Sequence, residues 1–323
     1  MIRRRSLALL ATLAAPLPLR AQEIWAPSRP VRLVVPFAAG GLTDILARGL
    51  TDGLSARLGQ PVVVENRAGA AGNIAAENVA RAPADGHTVL VASQGIILLN
   101  SALFQRLPYD PDRDFVPLAI MAHQPNLFVV NPRVLPVSNI AELIQAARSR
   151  PGGVPGGSPG TASFAHINLE LLRYRAGVEL PHVAFRGSAP MLTALLGGDI
   201  PFGVDAVGTS LPLVRDGRLR ALAVGSAERL RALPDIPAVA ETLPGFDASA
   251  WYGLFAHSAT PEGALARLDR EIRAVMASEP YRRLLDERLA EPVPDTRAQL
   301  AMRLERERQV WREVVRVSGA RAE

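Results

Sequence analysis

Short runs of apolar, often β-branched residues alternate with helical patterns along the first part of the chain. The apolar runs predict strands at 31–35, 61–65 and 88–92. Between the first two, leucines recur at four-residue steps, the spacing of one face of a helix: Leu46, Leu50, Leu54 and Leu58. Buried strands that alternate with helices favour an α/β fold with a parallel sheet covered on both faces.

A second unit with the same alternation begins near Leu127. Its apolar runs predict strands at 127–130, 183–185, 200–204 and 221–224, with helical spacing between them. Beyond about residue 260 the pattern becomes helical. Asn139 and Glu142 have the spacing of a capping box, which predicts a helix start in the second unit. Thr296 and Gln299 have the same spacing, which predicts the start of a last helix that runs to about Val317. The pattern therefore predicts two α/β units followed by a helical C-terminal part.

Residues 1–21 have the three-part pattern of a secretory signal peptide. Arginines at 3–5 precede an apolar run at 7–19, and Ala21 offers a small residue for cleavage. The apolar run is too short to span a bilayer. We therefore expect export by the general secretory (Sec) route and cleavage near Ala21. The pair Arg4 and Arg5 leaves the twin-arginine (Tat) route open as an alternative.

Composition excludes several classes of function. Of the formal charge of +5, four arginines belong to the predicted signal peptide, so the mature chain carries 5 − 4 = +1 and has no basic run. We expect no nucleic-acid partner. The 323 residues include no cysteine and no lysine, which excludes thiol chemistry, thiolate metal sites, Schiff bases and the P-loop. The five histidines lack metal-ligand spacing, so no metal and no cofactor are expected.

The loop at 36–44, Pro-Phe-Ala-Ala-Gly-Gly-Leu-Thr-Asp, joins the first predicted strand to the first predicted helix. Gly40 and Gly41 have no Cβ, so another molecule can approach the backbone there. The first amides of the helix have no internal partner and, with the helix dipole, suit an anion such as a carboxylate. The alternative is a tight turn without a ligand.

A second small-residue loop, 156–166, leads into another predicted helix. Ser158, Thr161 and Ser163 add hydroxyl groups beside the free amides of the helix start, and His166 follows in its first turn, where we expect it to orient the loop. Ser163 could instead serve only as the helix cap. If the two helix starts face each other across a cleft, a dicarboxylate or a longer anion can be held at both ends.

Three further polar residues follow predicted strands, at the sheet edge where α/β proteins bind ligands. Ser93 and Gln94 come after the strand at 88–92. The alternative is that they form an ordinary turn without a ligand. Asp205 comes after the strand at 200–204. Its charge would repel an anion, so we expect it to accept from a water or a loop amide, with a purely structural role left open.

Several motifs occur together in a characteristic order. They are the loop at 36–44, Val-Val-Glu-Asn-Arg-x-Gly-Ala at 63–70, His-Val-x-Phe-x-Gly-Ser-Ala-Pro at 182–190, and Gly-x-Leu-Arg-Ala-Leu-Ala-Val at 217–224. From about Pro30 to Val317 the chain resembles the periplasmic solute-binding receptors of tripartite tricarboxylate transporters, the Bug family.

The resemblance implies a two-domain periplasmic-binding-protein clamshell of the Venus-flytrap, type II-like kind, with a hinged cleft. It implies a discontinuous first domain at 24–125 and 246–323, with the second domain at 126–245. It also implies a monomer in the periplasm that binds a small organic carboxylate and delivers it to membrane permease subunits. The residues carried over as the binding site are Phe37, Ala39, Gly40, Gly41, Thr43, Ser158, Gly160, Ser163, His166 and Asp205.

The chain departs from the family pattern in its second loop. Ala162 stands where a glycine is usual, and Ser163 replaces a threonine. Two other functions remain open beside transport. One is a receptor that presents its ligand to a signalling partner. The other is an exported enzyme on the same fold, for which Ser163 and His166 are the nearby pair, although no third orienting group is evident.

Overall fold

The computed structural model describes residues 25–37, 39–160, 163–185 and 187–318. Its strands are β1 (Val31–Val35), β2 (Val62–Asn66), β3 (Thr88–Ser93), β4 (Phe115–Gln124), β5 (Asn126–Val130), β6 (Gly156–Ser158), β7 (His182–Ala184), β8 (Phe202–Ala206), β9 (Arg220–Val224) and β10 (Ala250–His257). Its helices are α1 (Leu42–Leu58), α2 (Asn73–Ala80), α3 (Asn100–Leu103), α4 (Ile140–Arg148), α5 (Phe164–Ala176), α6 (Ser188–Gly197), α7 (Val207–Arg215), α8 (Glu262–Met276), α9 (Glu279–Glu287) and α10 (Arg297–Ser318).

The strands form two five-stranded sheets, each the centre of one domain. The first sheet has the order β2-β1-β3-β10-β4, and the second has the order β7-β6-β8-β5-β9. The α/β class and the two-domain clamshell expected from the sequence are confirmed. Residues 1–24, which include the predicted signal peptide, lie outside the described residues, as does Thr161.

The predicted parallel sheet is only partly correct, because both sheets are mixed. β10 runs antiparallel to both β3 and β4, and β5 runs antiparallel to both β8 and β9. The strands β4 and β10 were not predicted at all, because their apolar runs carry no clean alternation. The other strands keep the expected parallel pairing, with β1 between β2 and β3, and β6 between β7 and β8.

Two crossings connect the domains. β4 ends at Gln124 and β5 begins at Asn126, so only Pro125 separates a strand of the first sheet from a strand of the second. The chain returns after β9 and enters the first sheet again through β10. In each sheet these strands lie on one side, whereas β1 and β6 lie towards the other. The sheet order therefore places the hinge on one side of the molecule and the ends of β1 and β6 on the other.

Helices cover the sheets as their apolar faces predict. The leucine face of α1 is buried, as expected, and packs in one core with apolar residues of α8, among them Leu268 and Ile272. The last helix, α10, packs against β4 and also against α5 of the second domain. There the ring of Trp311 lies 6.0 Å from that of Phe164. Within the described ranges, no helix is long and apolar enough to cross a membrane.

Helix caps follow the predicted polar residues. The side chain of Asn139 accepts from the amide of Glu142 at the start of α4. Thr296 and Gln299 form the predicted capping box before α10, where the Gln299 amide donates to Thr296 Oγ1 and the Thr296 amide donates to Gln299 Oε1. These local signals were sufficient to locate both helix starts, because a cap involves only residues within one turn.

Candidate functional site

The first predicted loop leads from β1 into α1 with its backbone open to solvent. Gly40 adopts a φ of 86°, in the left-handed region, and Gly41 is the N-cap of α1 without a side-chain cap. The first bond within the helix runs from the amide of Ile45 to the carbonyl of Gly41. The amides of residues 42–44 therefore have no partner within the helix. Ala39, Gly40 and Gly41 are exposed, and the Phe37 side chain is 36% exposed.

Asp44 stabilises this loop from inside, a role that the sequence pattern did not predict. Its Oδ2 accepts from the Gly40 amide and from Arg48 Nε, both at 2.9 Å, while its Oδ1 accepts from Asn66 Nδ2 at 2.9 Å. Asn66 Nδ2 also donates to the carbonyl of Phe37 at 3.0 Å. The amide of Gly40 is thus already used within the loop. An acidic residue in the first turn of a helix after a glycine loop is the signal that could have identified Asp44.

The Arg48 guanidinium holds the pKa of Asp44 at about 2, below its ordinary value, although burial acts in the opposite direction. The carboxylate is therefore charged throughout the physiological range, and it neutralises the arginine beside it. Thr43, next to it, is 4% exposed and lies beneath the loop surface. The donors that this loop can offer to an anion are consequently backbone amides.

The second predicted loop begins at the buried end of β6. The Ser158 hydroxyl is fully buried, donates to the carbonyl of Gly160 at 3.0 Å, and lies 2.7 Å from Nε2 of His182. Ser163 caps α5, since its Oγ accepts from the His166 amide at 3.1 Å. Ser163 is therefore the N-cap of α5. Ser158 supports the loop from inside and does not line its surface.

The imidazoles of His166 and His182 stack beneath this loop, with ring centroids 3.7 Å apart. Burial, together with the neighbouring His166, lowers the pKa of His182 to about 4. His166 Nε2 lies 3.6 Å from Glu170, which also pairs with Arg173. Burial alone would raise the pKa of Glu170, but the hydrogen bonds from His166 and Arg173 lower it below its ordinary value. His182 was not among the predicted site residues, although it belongs to one of the recognised motifs.

Ser93 and Gln94 lie at the end of β3, as predicted, but the side chain of Gln94 is buried in the protein interior. It is 2% exposed, and its Nε2 donates to Glu307 of α10 at 2.8 Å. The same carboxylate oxygen accepts from Trp251 Nε1 at 2.8 Å. Gln94 therefore connects the end of β3 to α10. Ser93 is partly buried and pairs with Tyr252 across the β3–β10 ladder.

Asp205 lies within β8 and is fully buried, whereas the sequence placed it just after the strand. One carboxylate oxygen accepts from Ser188 Oγ at 2.6 Å and the other from Thr209 Oγ1 at 2.5 Å. Burial raises the pKa of Asp205 above its ordinary value, although both hydroxyls counteract this effect. The contacts give Asp205 the structural role that the sequence left open: it fixes the start of α6 against α7.

The order of the sheets places the two loops on the same side of the molecule, away from the crossings. β1 and β6 are each second from the edge of their sheet, and their carboxyl ends carry the two loops. Among the described residues, no hydrogen bond joins the first loop to the second domain. Residues 39–41 are exposed, so the first loop is accessible to solvent on this side of the molecule.

A separate cavity of about 830 Å³ lies at the hinge. It is lined by residues of both crossings, including His123, Pro125, Asp247 and Ser249, and by several arginines. None of the predicted loop residues lines it. The hinge cavity and the predicted site are therefore different places, and the arrangement of loops and helix starts, not the cavity, marks the candidate site.

Comparison with known proteins places this architecture in a family. Residues 46–319 match the family model described as "Tripartite tricarboxylate transporter family receptor". The chain belongs to this family. Protein BugT of Bordetella pertussis is 35% identical over 297 residues, which is 91% of this chain and 91% of that protein. The resemblance seen in the sequence motifs is thereby confirmed, and the protein is an exported solute-binding receptor, not an enzyme.

Two solved structures extend the comparison to the whole fold. R. palustris Rpa4515, solved with adipate, is 37% identical, with a TM-score of 0.72 over 91% of this chain and 99% of that chain. A TctC solute binding protein from Polaromonas, solved with no ligand, is 25% identical, with a TM-score of 0.80 over 90% of this chain and 99% of that chain. The receptor thus shares its two-domain architecture with solute-binding proteins over nearly its full length.

Proposed function

We propose that the receptor captures a small organic carboxylate in its cleft and delivers it to membrane permease subunits of a tripartite tricarboxylate-type transporter. The observation that carries this proposal is the start of α1 behind the exposed residues 39–41. Its first amides have no partner within the helix, and the preceding residues 39–41 carry no side chain larger than a methyl group. A helix N-terminus of this kind favours an anion over a cation or a neutral solute.

The electrostatics of the loop favour a carboxylate held by amides over one held by an arginine. Arg48 is paired with Asp44 at 2.9 Å, and Arg67, on the neighbouring loop, is paired with Glu65. Both guanidiniums are engaged by carboxylates of their own domain, although Arg67 shares Glu65 with Arg32. A site built from neutral donors binds one or two carboxylates with little attraction for densely charged anions such as phosphates, which usually recruit arginine or lysine.

The start of α5 supplies the second anchor. Its loop approaches from the other domain, so an acid with a carboxylate at each end spans the cleft when the domains close. Adipate, the ligand in the R. palustris neighbour, is such an aliphatic diacid and supports this class. The proposed binding surface consists of Phe37, Ala39, Gly41 and the amides of 42–44 on one side, with Gly160, Thr161 and Ser163 on the other. Asp44, Ser158, His166, His182 and Asp205 support these loops from inside.

Binding shifts the receptor towards a closed state, because the ligand contacts both loops only when the domains approach each other. The proposed domain limits are 24–125 with 246–323 for the first domain and 126–245 for the second. They follow the division of the strands into two sheets. We also propose cleavage near Ala21, export by the Sec or Tat route, and a monomeric receptor.

The experiment is a binding screen on the mature receptor, refolded to remove any ligand retained from expression. Thermal unfolding is recorded against aliphatic monoacids, diacids of four to eight carbons, triacids and aromatic acids. At about 100 times its dissociation constant, a ligand adds about 2.7 kcal/mol of stability, which raises the midpoint by several degrees in a chain of this size. A positive acid is then compared by calorimetry with its monomethyl and dimethyl esters.

We expect a diacid to bind, its monomethyl ester to bind at least tenfold more weakly and its dimethyl ester to show no binding, because each ester removes one anchored charge. If folded receptor responds to no acid in the panel, the proposed function is wrong. If the monomethyl ester binds as tightly as the diacid, the second anchor is wrong and one carboxylate suffices.

A further inference from the structure

We infer that an ion-pair cluster behind the hinge holds the empty receptor open and thereby sets its ligand affinity. This rear cluster consists of Arg231, Asp286 and Glu291. Arg231 follows β9 in the second domain, whereas Asp286 and Glu291 lie at and just after the end of α9 in the first. The inference rests on the proposed function for its effect on affinity, but its effect on the domain angle concerns the receptor without ligand.

The contacts of Arg231 bridge the two domains directly. Its Nε lies 2.8 Å from Glu291 Oε2, and its backbone amide donates to Glu291 Oε1 at 2.9 Å, so one carboxylate is bound twice. Its Nη2 lies 3.0 Å from Asp286 Oδ1. Because the backbone and the side chain of Arg231 bind the same carboxylate, the pair has little freedom to shift without breaking.

The rear cluster lies on the opposite side of the crossings from the ligand loops. Glu291 exchanges two backbone hydrogen bonds, both 2.8 Å long, with His123 of β4. Since β4 is the edge strand of the first sheet, Glu291 extends that sheet away from β1. β9 is likewise an edge strand of the second sheet, and Arg231 lies in the segment that follows β9. The crossings therefore act as a pivot between the loops at one end and the rear cluster at the other.

A rotation about this pivot cannot shorten both the distance between the two loops and the distances within the rear cluster. A motion that brings the β1 and β6 loops together around a ligand moves Arg231 away from Glu291 and Asp286. In the structure the described residues of the first loop make no hydrogen bond to the second domain, whereas the rear contacts are made. Closure therefore exchanges the rear ion pairs for contacts with the ligand, and the ligand's affinity is reduced by the free energy of breaking them.

The cavity at the hinge lies beside these contacts. The space of about 830 Å³ separates the domains next to the rear cluster, and both Arg231 and Glu291 line it. At this cavity the domains are joined by polar contacts, whereas their apolar contact lies elsewhere, between α10 and α5. Arg231 and Asp286 are each about 60% exposed, whereas Glu291 is 22% exposed. An exposed network of this kind has a modest effect, of a size suited to adjusting an equilibrium.

The test compares Arg231→Gln with Arg283→Gln. Arg283 lies on α9, is also exposed, and pairs with Glu279 of the same helix at 3.7 Å, so its replacement removes the same charge without touching the domain contact. Because the chain has no cysteine, Asp52→Cys on α1 and Thr193→Cys on α6 allow two spin labels to be placed, one on each domain. The distance between the labels is measured without ligand and with the acid found in the screen.

We expect Arg231→Gln to shift the distance distribution of the ligand-free receptor towards shorter values and to tighten ligand binding about two- to fivefold. Arg283→Gln should change neither. A double-mutant cycle with Glu291→Gln should show that the two effects are not additive, because both variants break the same pair.

An unchanged ligand-free distance in Arg231→Gln overturns the inference, as does weaker binding in that variant. If no acid shortens the distance in the wild type, the proposed function fails instead. The comparison of the two ligand-free variants then still decides whether the rear cluster holds the domains apart. Thermal unfolding checks whether Arg231→Gln folds. If it does not, Arg231→Lys serves as the second variant, because lysine keeps the charge but loses the forked geometry of the guanidinium. We expect it to shift the distance distribution in the same direction.

Discussion

The ring of His182 lies flat against that of His166, with centroids 3.7 Å apart and planes inclined by 17°, directly beneath the loop that begins α5. On its other side His182 Nε2 meets the Ser158 hydroxyl at 2.7 Å. The two histidines come from different elements, α5 and β7, so the stack couples the second anchor to the neighbouring strand. A proton on either ring would place a positive charge against its partner.

This stack predicts that the receptor loses stability in mild acid. The pKa of His182 is about 4 in the folded protein, because burial and His166 disfavour its charged form, against about 6.5 when unfolded. Between these values the unfolded chain binds more protons than the folded one, so stability rises with pH from about 4 to 6.5 and is lost as pH falls through that window. His123, whose pKa burial lowers to about 3, contributes in the same direction.

Urea unfolding between pH 4 and pH 8 measures this effect. The wild type should lose up to about 3 kcal/mol through His182 alone across the window. His182→Gln should show a slope smaller by about one proton, with the remaining slope due to His123 and to the carboxyl groups with shifted pKa values. Identical slopes for the two proteins would contradict the prediction. His182→Gln should also weaken ligand binding, since the second loop loses its support.

Asp44→Asn should loosen the first loop. The carboxylate binds the Gly40 amide, Arg48 and Asn66 together, and an amide cannot reproduce the two charge-assisted bonds on Oδ2. We expect a loss of about 1–3 kcal/mol in stability and at least tenfold weaker ligand binding, measured by denaturant titration and calorimetry. Asp52→Asn, on the exposed side of the same helix, is the matched control and should change neither. Equal behaviour of the two variants would show that Asp44 is not a support of the site.

The pH dependence of Asp44 has the same sign as that of His182, but it lies at lower pH. Because Arg48 lowers the folded pKa of Asp44 to about 2, its contribution to stability is fully present above the ordinary carboxyl pKa near 4. It is lost as pH falls from about 4 to 2. The acid limb of the stability curve should therefore be shallower in Asp44→Asn than in the wild type over that range.

Gly40→Ala should destabilise the receptor through its backbone and not through a clash. An added Cβ at Gly40 would meet no atom within 4 Å, but the φ of 86° lies in the left-handed region. The cost should be about 1–2 kcal/mol. Gly208→Ala is the matched control, because a Cβ there also meets nothing within 4 Å and the residue lies in the regular helix α7. That variant should be neutral or slightly more stable in thermal unfolding; equal losses in both would contradict the strain argument.

Asp205→Asn should reduce stability more than it reduces binding. The buried carboxylate accepts from Ser188 and Thr209, so an amide leaves one hydroxyl without its acceptor. We expect a loss of about 1–3 kcal/mol in unfolding free energy with ligand affinity changed by less than about threefold. Thr209→Val should give a similar pattern. A large loss of affinity in folded Asp205→Asn protein would show that this carboxylate reaches the ligand.

The sequence by itself determined the features that depend on neighbouring residues. The leucine face of α1, the caps of α4, α5 and α10, and the two glycine-containing loops were all predicted at or near their positions. Each depends on residues a few positions apart, so the chain's local spacing carries the information. The ordered set of motifs, taken together, was also sufficient to identify the family of receptors.

Tertiary structure alone decided how those pieces meet. Periodicity cannot show that β10 enters the first sheet antiparallel between β3 and β4, because that pairing joins residues more than 100 positions apart. The contacts that support the ligand loops also join residues that are far apart along the chain. Asn66 reaches Asp44 from the neighbouring strand, His182 reaches His166 from β7, and Glu307 reaches Gln94 from the last helix. These polar contacts become strong only when folding buries both partners together, and burial is a property of the folded chain, not of its spacing.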